Sequence, residues 1–274
     1  MKVYLATIAR LENNYIKEFV EYYYSIGIDK ILLFDNNYDG EENFNDVIKT
    51  YIDSGFVKLI DYRNKSVCQL ESYNEAYTKY GDECDWICFF DADEFIMFDN
   101  KYKNIKDFLS DSIFNEYDGI RLCWKNFDDN NLIKVENNDY NCLSRFKHIH
   151  SHTHCKSLFK TKNKYVDFSN IKISDAHGCY DEHLRMCSSD GNVCNNTNFD
   201  IGPTSIYANA WLNHYRYKTI DEFIRFKLLR GYPDQKYEYT IEKGFSIDTF
   251  FYCNSKTPEK LEYIKSLGID YEYK

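Results

Sequence analysis

Short apolar runs alternate with longer amphipathic segments along the first hundred residues of the chain. The short runs lack polar alternation, which is typical of strands covered on both faces, and they lie at residues 3–9, 30–34, 56–60 and 86–90. In the segments between them apolar residues recur every three or four positions, which predicts helices over 16–26, 44–53 and 70–80. This order predicts an α/β fold with a Rossmann-like half, in which a mostly parallel central sheet is flanked by helices.

The second half of the chain has a less regular pattern. Residues 104–116 predict a helix, whereas 117–127 and 171–176 predict strands. Residues 178–202 are rich in Asp, Ser, Asn, Gly and Cys, and predict a long loop or flap.

Two further helix starts are marked by capping residues. Thr219 and Glu222 have the spacing of a capping box. Pro258 follows a threonine and begins a last predicted helix, which ends near Gly268.

Polar residues follow the predicted strands of the first half. Asp91, Asp93 and Glu94 follow the fourth strand in "CFFDADEF", and Asp35 begins "DNNYDG" after the second. Ligands bind at the carboxyl ends of strands in open α/β sheets, and two carboxylates one residue apart can approach one hard cation such as Mg²⁺ or Mn²⁺. Turns capped by acids would give the same pattern, so both interpretations stay open at this point.

Composition narrows the partners that the protein can have. The chain has 274 residues, is 43% hydrophobic and carries a net charge of −10, which argues against nucleic acid and against an anionic membrane surface. Its 26 Tyr and 20 Phe suit a groove that stacks ring-shaped ligands, although aromatic residues also fill cores. Neither a targeting segment nor a membrane-length apolar run is apparent, and the ten Cys form no C-x-x-C pair. We therefore expect a cytoplasmic protein with reduced thiols and at most peripheral membrane contact.

Two clusters contain residue types that bind transition metals. The first alternates along the chain, so its members would share one face of a strand: His148, His150, His152 and His154. Either a metal site or surface histidines beside an acceptor groove would explain it. The second cluster fits no familiar zinc spacing and comprises His177, Cys179, His183, Cys187 and Cys194.

Several segments follow one another in an order typical of one enzyme family. They begin with "YLATIARLENNYIKEF", "QLESYNEAY" and "DWICFFDADEF", and continue with "LSRF", "HCKSLF", "DAHG" and "NHYRYKTIDEFIRFKLLRG". This order resembles GT-A glycosyltransferases, most closely glycosyltransferase family 92 and its bacterial relatives in the family 2-like group. The resemblance implies one GT-A domain over 1–274, with a nucleotide-sugar- and metal-binding half at 1–100 and an acceptor-binding half at 101–274.

The resemblance also implies roles for individual residues of a donor site. Asp91 and Asp93 would form the D-x-D motif, in which the second acid binds Mn²⁺ or Mg²⁺ bridged to the donor diphosphate and the first reaches the ribose or metal-bound water. Departure of a nucleoside diphosphate builds negative charge, which such a cation offsets. Glu94 matches the acid after the motif. Further donor-binding positions are implied at Thr7, Arg10, Asp35, Arg63, Asn74, Arg216 and Lys218.

A late histidine completes the metal site in many enzymes of this fold. His214 in "NHYRYKT" matches that position, and His177 in "DAHG" is the alternative. A lone histidine can also be structural, so both assignments are hypotheses.

Together these features predict a metal-dependent glycosyltransferase. It would move a sugar from a nucleotide sugar, for example UDP-galactose, to a saccharide or glycolipid acceptor during synthesis of surface polysaccharide or lipopolysaccharide. Family 92 members invert the anomeric centre, which implies a carboxylate that deprotonates the acceptor. Asp128 is the first candidate for this base, followed by Asp181 and Glu182.

Two other classes of protein remain as alternatives. A phosphohydrolase of the haloacid dehalogenase type also uses D-x-D, but its motif normally continues to a Thr and follows the first strand. Here Phe95 occupies that position after the fourth predicted strand. A non-catalytic sugar-binding module would explain the aromatic residues but would not need paired acids with a late histidine.

Overall fold

The computed structural model describes residues 1–151, 154–162, 164, 177, 183–194, 208–228 and 247–271. The strand predicted at 171–176 lies outside the described residues, as do Asp181, Glu182, His152 and Cys179.

The first half of the chain alternates strands and helices as its hydrophobic pattern predicts. The strands are β1 (Val3–Ala9), β2 (Lys30–Asp35), β3 (Val57–Asp61) and β4 (Trp86–Phe89). The helices between them are α1 (Asn13–Ser25), α2 (Asn45–Asp53) and α3 (Gln69–Tyr80). All pairings among the four strands are parallel, in the order β4-β1-β2-β3. Their carboxyl ends therefore meet at one edge of the sheet, and the predicted α/β class with a parallel half is confirmed.

The second half extends this sheet with antiparallel strands and adds a smaller one. Its strands are β5 (Glu94–Phe98), β6 (Gly119–Phe127), β7 (Ile149–Ser151), β8 (Cys155–Lys160), β9 (Met186–Ser188), β10 (Val193–Cys194) and β11 (Ala210–His214). Strand β8 pairs antiparallel with both β4 and β6. The end of β6 pairs with β11, which in turn pairs with β5. Strand β6 thus connects the two sheets.

Short helices complete the second half. They are α4 (Ile105–Leu109), α5 (Cys142–Arg145), α6 (Ile220–Glu222), α7 (Ile247–Cys253) and α8 (Pro258–Ser266). A π-helical segment, Phe223–Lys227, directly follows α6. The predicted capping box is present, because the Thr219 and Glu222 side chains each bond the backbone of the other residue.

Hydrophobic packing on both faces of the sheet explains this architecture. Alternate residues of β1 enter different cores: Val3 and Leu5 pack with the buried face of α1, whereas Tyr4 and Ala6 pack with that of α3. A third core, around Phe250, joins α6, α7 and α8. The parallel strands are therefore covered on both sides, as their uninterrupted apolar runs predict.

Two predictions about the second half need correction. The helix predicted over 104–116 ends at Leu109, because the Asp111 side chain accepts a bond from the amide of Ile113 and starts a separate 3₁₀ turn. The long loop predicted at 178–202 is wrong for 186–188 and 193–194, where β9 pairs with β6 and β10 pairs with β9. Met186 and Cys187 are buried there, and two apolar residues in a polar stretch were too few to predict a strand.

The nine described cysteines are all buried, and none of them forms a disulfide with another of the nine. Burial raises the pKa of Cys194 to about 11 and also raises that of Cys187, so both thiols stay protonated at neutral pH. In the part of the chain that the structure describes, no helix is both long and apolar enough to cross a bilayer.

Candidate active site

The acidic motif forms the turn between β4 and β5. Strand β4 ends at Phe89, and β5 begins at Glu94, so Asp91 and Asp93 lie at the carboxyl edge of the parallel strands. The amide of Tyr215 donates a hydrogen bond to the Asp93 carbonyl at 2.9 Å. Because His214 also pairs with Glu94 across the β5–β11 ladder, the end of β11 is held beside the acidic turn.

Asp91 is fixed by partners from the large sheet and α3. Its Oδ2 lies 2.9 Å from the Nζ of Lys156 on β8, and its Oδ1 accepts bonds from Gln69 at 2.9 Å and Tyr73 at 3.1 Å. Burial alone would raise the pKa of Asp91, but Lys156 outweighs it, so the pKa is lowered and the carboxylate stays ionised. The Asp91 side chain nevertheless keeps 32% of its surface exposed, so it remains accessible to a ligand.

Asp93 is more deeply buried and has different partners. Its Oδ1 lies 3.5 Å from the Nε2 of His214, and its Oδ2 lies 3.1 Å from the Nζ of Lys227. Burial opposes ionisation of Asp93, yet the adjacent Lys227 ammonium outweighs it and holds the pKa of Asp93 well below the usual range. Asp93 is therefore a buried carboxylate anion at neutral pH.

His214 presents a ring nitrogen to Asp93. Its Nδ1 lies 3.0 Å from the Oδ1 of Asn126 on β6, and its ring packs on Trp124 at 4.2 Å between centroids. Burial lowers the pKa of His214, which favours the neutral ring. If Nδ1–H donates to Asn126, the lone pair of Nε2 faces Asp93. Two acceptors that face each other in this way suit a shared cation.

The residues present fit a divalent cation that a ligand completes. Asp93 and His214 supply one oxygen and one nitrogen, and no group of three or more His, Cys, Asp or Glu gathers into a metal centre among the described residues. Mg²⁺ is commonly held by one or two carboxylates together with substrate phosphates and water. The pair is therefore adequate for a cation bound jointly with a diphosphate, and inadequate for a closed structural metal site.

His177 occupies a different position on the same tryptophan. Its Nδ1 lies 2.9 Å from the Cys155 carbonyl oxygen, and its ring meets Trp124 edge-on at 4.9 Å. Burial lowers its pKa to about 3, with Lys156 adding to the effect and Asp91 opposing it. Of the two candidate histidines, His214 is the one that the described contacts place against Asp93.

Glu94 has a structural role in the turn. Its side chain is fully buried, and its Oε2 accepts a bond from the Asp91 amide at 2.8 Å. Burial raises the pKa of Glu94 well above its ordinary value, which favours the protonated, neutral acid. Glu94 therefore holds the backbone of Asp91 without adding a third negative charge.

Three of the five residues of the first hundred that are implied in donor binding beside the acidic motif form a network around the loop after β2. Arg63 lies 2.9 Å from Asp35 and donates to the Tyr38 carbonyl at 2.6 Å. Arg10 bonds both carboxylate oxygens of Glu41 and stacks over the Tyr38 ring at 3.8 Å. These three candidates thus shape the loop at residues 36–42. The other two lie elsewhere, Thr7 buried in β1 and Asn74 half-buried on α3.

A basic cleft adjoins Asp93. Three cationic side chains (Arg216, Lys218 and Lys227) and two acidic ones (Glu12 and Glu222) line it, together with Leu11, Asn14 and Tyr15. Lys218 lies 3.1 Å from Glu12 and 3.8 Å from the centroid of the Tyr15 ring. The cleft is therefore suited to an anionic ligand beside the acidic turn.

Sequence reasoning missed the two lysines that contact the acidic motif. Lys156 is the charged residue of "HCKSLF", and a fully buried lysine in a strand is a signal of a buried acid nearby. Lys227 lies in "FIRFKLLRG", where it resembles any basic residue of a helix. No local pattern singles it out.

The candidate base Asp128 lies just beyond β6. Its Oδ1 accepts a bond from the Asn130 amide at 2.8 Å and lies 3.7 Å from the Nδ1 of His148. It is separated by one residue from Asn126, the partner of His214. The structure thus brings Asp128 to the end of β6 that also contacts His214, while its role as a base stays a prediction.

The acidic turn lies at the carboxyl edge of parallel strands, where open α/β sheets bind their ligands, and a cleft with cationic side chains lies beside it. The model of glycosyltransferase family 92 matches residues 5–240. The chain therefore belongs to this family, and it is a glycosyltransferase. The enzyme class predicted from the sequence is confirmed, in preference to a phosphohydrolase or a sugar-binding module.

Solved structures of S. aureus TarS resemble part of the chain. One is 18% identical with a TM-score of 0.35 and covers 50% of this chain and 23% of TarS. TarS 1–349 in complex with UDP-GlcNAc is 17% identical with a TM-score of 0.36, over 50% of this chain and 37% of that one. TarS 1–349 alone is 14% identical with a TM-score of 0.37, over 58% and 47%. The chain thus spans less than half of each structure, and no curated protein matches it.

Proposed function

We propose that this glycosyltransferase is metal-dependent, takes its sugar from a UDP-sugar and passes it to a saccharide or glycolipid acceptor with inversion of the anomeric centre. The observation that supports this most is the pairing of Asp93 with His214 beside a cleft lined by Arg216 and Lys218. One oxygen and one nitrogen ligand leave room for diphosphate oxygens on a shared cation. Arg216 and Lys218 would form charge-assisted hydrogen bonds with the phosphate oxygens that the cation does not bind.

Charge development explains why these residues are needed together. When the sugar leaves the donor, the nucleoside diphosphate gains negative charge, and bound Mn²⁺ or Mg²⁺ supplies positive charge at that point. Asp93 and His214 would hold the cation, whereas Arg216 and Lys218 would contact the diphosphate. His214 is positioned before the reaction by β11 and by the packing of its ring on Trp124.

Asp91 would bind the donor without holding the cation. Lys156, Gln69 and Tyr73 fix its carboxylate, and its exposed surface leaves room for a hydroxyl donor such as a ribose. The loop at residues 36–42 would lie beside the nucleotide base, with the Tyr38 ring oriented by Arg10.

For inversion, one carboxylate must deprotonate the acceptor hydroxyl while the diphosphate leaves from the opposite face. Asp128 is our first candidate, because it is partly exposed and lies at the same end of β6 as the support of His214. Asp181 and Glu182 are retained as alternatives. The family also leads us to propose UDP-galactose as one donor to test, and a cytoplasmic role in surface polysaccharide or lipopolysaccharide synthesis.

The proposal is tested first by ligand binding. UDP and Mn²⁺ together are expected to raise the thermal midpoint of the protein markedly more than either alone, since a jointly bound ligand stabilises the native state. Asp93→Asn is the matched variant and is expected to lose the joint effect. A screen of nucleotide sugars for hydrolysis by the wild-type protein would then identify the donor. Equal midpoints with UDP in Mn²⁺ and in EDTA would contradict metal dependence.

A further inference from the structure

The two acids of the motif each contact a lysine, but the two lysines differ in their surroundings. Lys156 lies in the middle of the large sheet on β8, and 1% of its side chain is exposed. Lys227 ends the π-helical segment at the wall of the basic cleft, and 12% of its side chain is exposed. Lys156 is therefore enclosed by strands, whereas Lys227 borders the space that an anionic ligand would enter.

Asp93 requires a neutralising group at all times. Its side chain is 5% exposed, and an unpaired carboxylate so far from water is strongly unfavourable. Lys227 meets this need at Oδ2, on the same carboxylate whose Oδ1 faces His214. A divalent cation held by Asp93 and His214 would place two more positive charges beside the Lys227 ammonium, and like charges at such short range repel.

The lysine has a place to move to. Its ammonium is carried on a flexible four-carbon stem, and Arg216 and Lys218 line the same cleft. A donor diphosphate bound there would accept hydrogen bonds from all three side chains. The π-helical geometry of Phe223–Lys227 is a local departure from a regular helix, a feature frequent at functional sites.

We propose that Lys227 is an exchangeable counter-ion of Asp93. It neutralises the carboxylate in the free enzyme, leaves it when a divalent cation binds, and then contacts the diphosphate of the donor. This inference rests on the proposed function, because it assumes that the cation and the diphosphate bind at this site. It makes metal binding and the Lys227–Asp93 contact mutually exclusive.

The test is the affinity of the nucleotide-free protein for Mn²⁺, measured by electron paramagnetic resonance of the unbound ion. Lys227→Gln removes the competing charge and is expected to lower the Kd for Mn²⁺ at least about five-fold. The same variant is expected to bind UDP more weakly in saturating Mn²⁺, since a diphosphate contact is lost. General damage to the site would weaken both affinities, so the opposite directions identify the exchange.

Arg225→Gln is the matched control. Arg225 lies on the same segment, is 60% exposed and pairs with Asp221, so its loss removes one positive charge without touching Asp93. We expect its Mn²⁺ affinity to stay within about two-fold of wild type, because exposed charges are screened. An equal gain in both variants would show a general charge effect and would overturn the proposal.

A second variant keeps the proposal testable if Lys227→Gln does not fold. Lys227→Arg retains the charge and forms stronger carboxylate pairs, so it is expected to weaken Mn²⁺ binding. Tighter Mn²⁺ binding by Lys227→Arg, or unchanged binding by a folded Lys227→Gln, would overturn the exchange. If wild type still shows Mn²⁺-dependent UDP binding, the proposed function survives that result. Absence of Mn²⁺ binding in wild type and all variants, with UDP as well as without it, would instead overturn both.

Discussion

The two acids of the turn, Asp91 and Asp93, are neutralised by partners in different structural settings. On the Asp91 side, the partners come from β8 and α3, two elements packed into the main core. On the Asp93 side, they come from the end of β11 and from a π-helical segment at the edge of a cleft. Both acids are ionised, yet one is neutralised by a residue that cannot leave and the other by residues that face a ligand site.

This difference predicts that the two acids of the three-residue motif contribute differently to the stability of the fold and to activity. A buried ion pair that nothing replaces contributes mainly through the cost of breaking it. A carboxylate whose partners border a cleft can instead exchange them for a ligand. We therefore expect changes around Asp93 to alter activity most, and changes around Asp91 to alter the stability of the fold.

The largest effect is expected for Asp93→Asn. The amide keeps the shape of the side chain but removes the anion, so transfer should fall at least about 10³-fold, comparable to loss of a main electrostatic contact in other enzymes. Initial rates of sugar transfer with a donor found by the screen would measure it. Full activity of the wild type in EDTA would contradict this prediction. Activity of the variant within ten-fold of wild type would also contradict it, because Asp93 would then not be needed for transfer more than Asp91 is.

Lys156→Met tests the stability side of the comparison. It leaves Asp91 without its buried partner and is expected to lower the free energy of unfolding by about 2–3 kcal/mol, a value reduced because Asp91 is about one-third exposed. Urea unfolding monitored by circular dichroism would measure the change. Adding Asp91→Asn to the same chain should recover part of the loss. A double variant less stable than Lys156→Met would contradict the pairing.

Variants of the two candidate histidines test which of them binds the metal ion. His214→Asn should raise the Mn²⁺ concentration needed for half-maximal activity at least about ten-fold, because it removes the proposed ligand that faces Asp93. His177→Asn should change it less than three-fold, since His177 bonds the Cys155 carbonyl. Metal titrations of both variants would decide. The reverse ranking would transfer the ligand role to His177.

The smallest effect concerns acid stability. The pKa of His177 is lowered from 6.5 to about 3 in the folded chain, so the unfolded chain binds the proton more readily. Stability is therefore lost as the pH falls below about 6.5, and this histidine should account for about 1.5 kcal/mol between pH 6.5 and pH 5. Comparing urea unfolding of wild type and His177→Asn at both pH values would isolate this contribution. An identical pH dependence in the two proteins would show that His177 titrates normally.

Local patterns were enough to predict the first half of the fold. The strands β1 to β4, the helices between them and the position of Asp91 and Asp93 at a strand end all follow from periodicity over short windows. The capping box of Thr219 and Glu222 was also predictable, because the two residues that contact each other are only three positions apart. Each of these features depends on neighbours close in the sequence.

Features that depend on distant partners were not predictable in the same way. Lys227 meets Asp93 across 134 residues, and nothing in its own segment marks it. Strand β9 is held by the pairing of Met186 with Gly119, which the polar composition around it concealed. Family resemblance supplied His214, but only the structure gave its contact with Asn126.

The strand β6 sets a distance within the proposed reaction. Asn126, which bonds His214, and Asp128, the candidate base, are separated by one residue at the end of β6, so their Cα atoms can lie at most roughly 7 Å apart. Covalent geometry, rather than packing between separate elements, would then determine how far the proton acceptor lies from the site of the leaving group. The end of β6 would then set this separation. The number of residues between Asn126 and Asp128 would matter more than the identity of the residue between them.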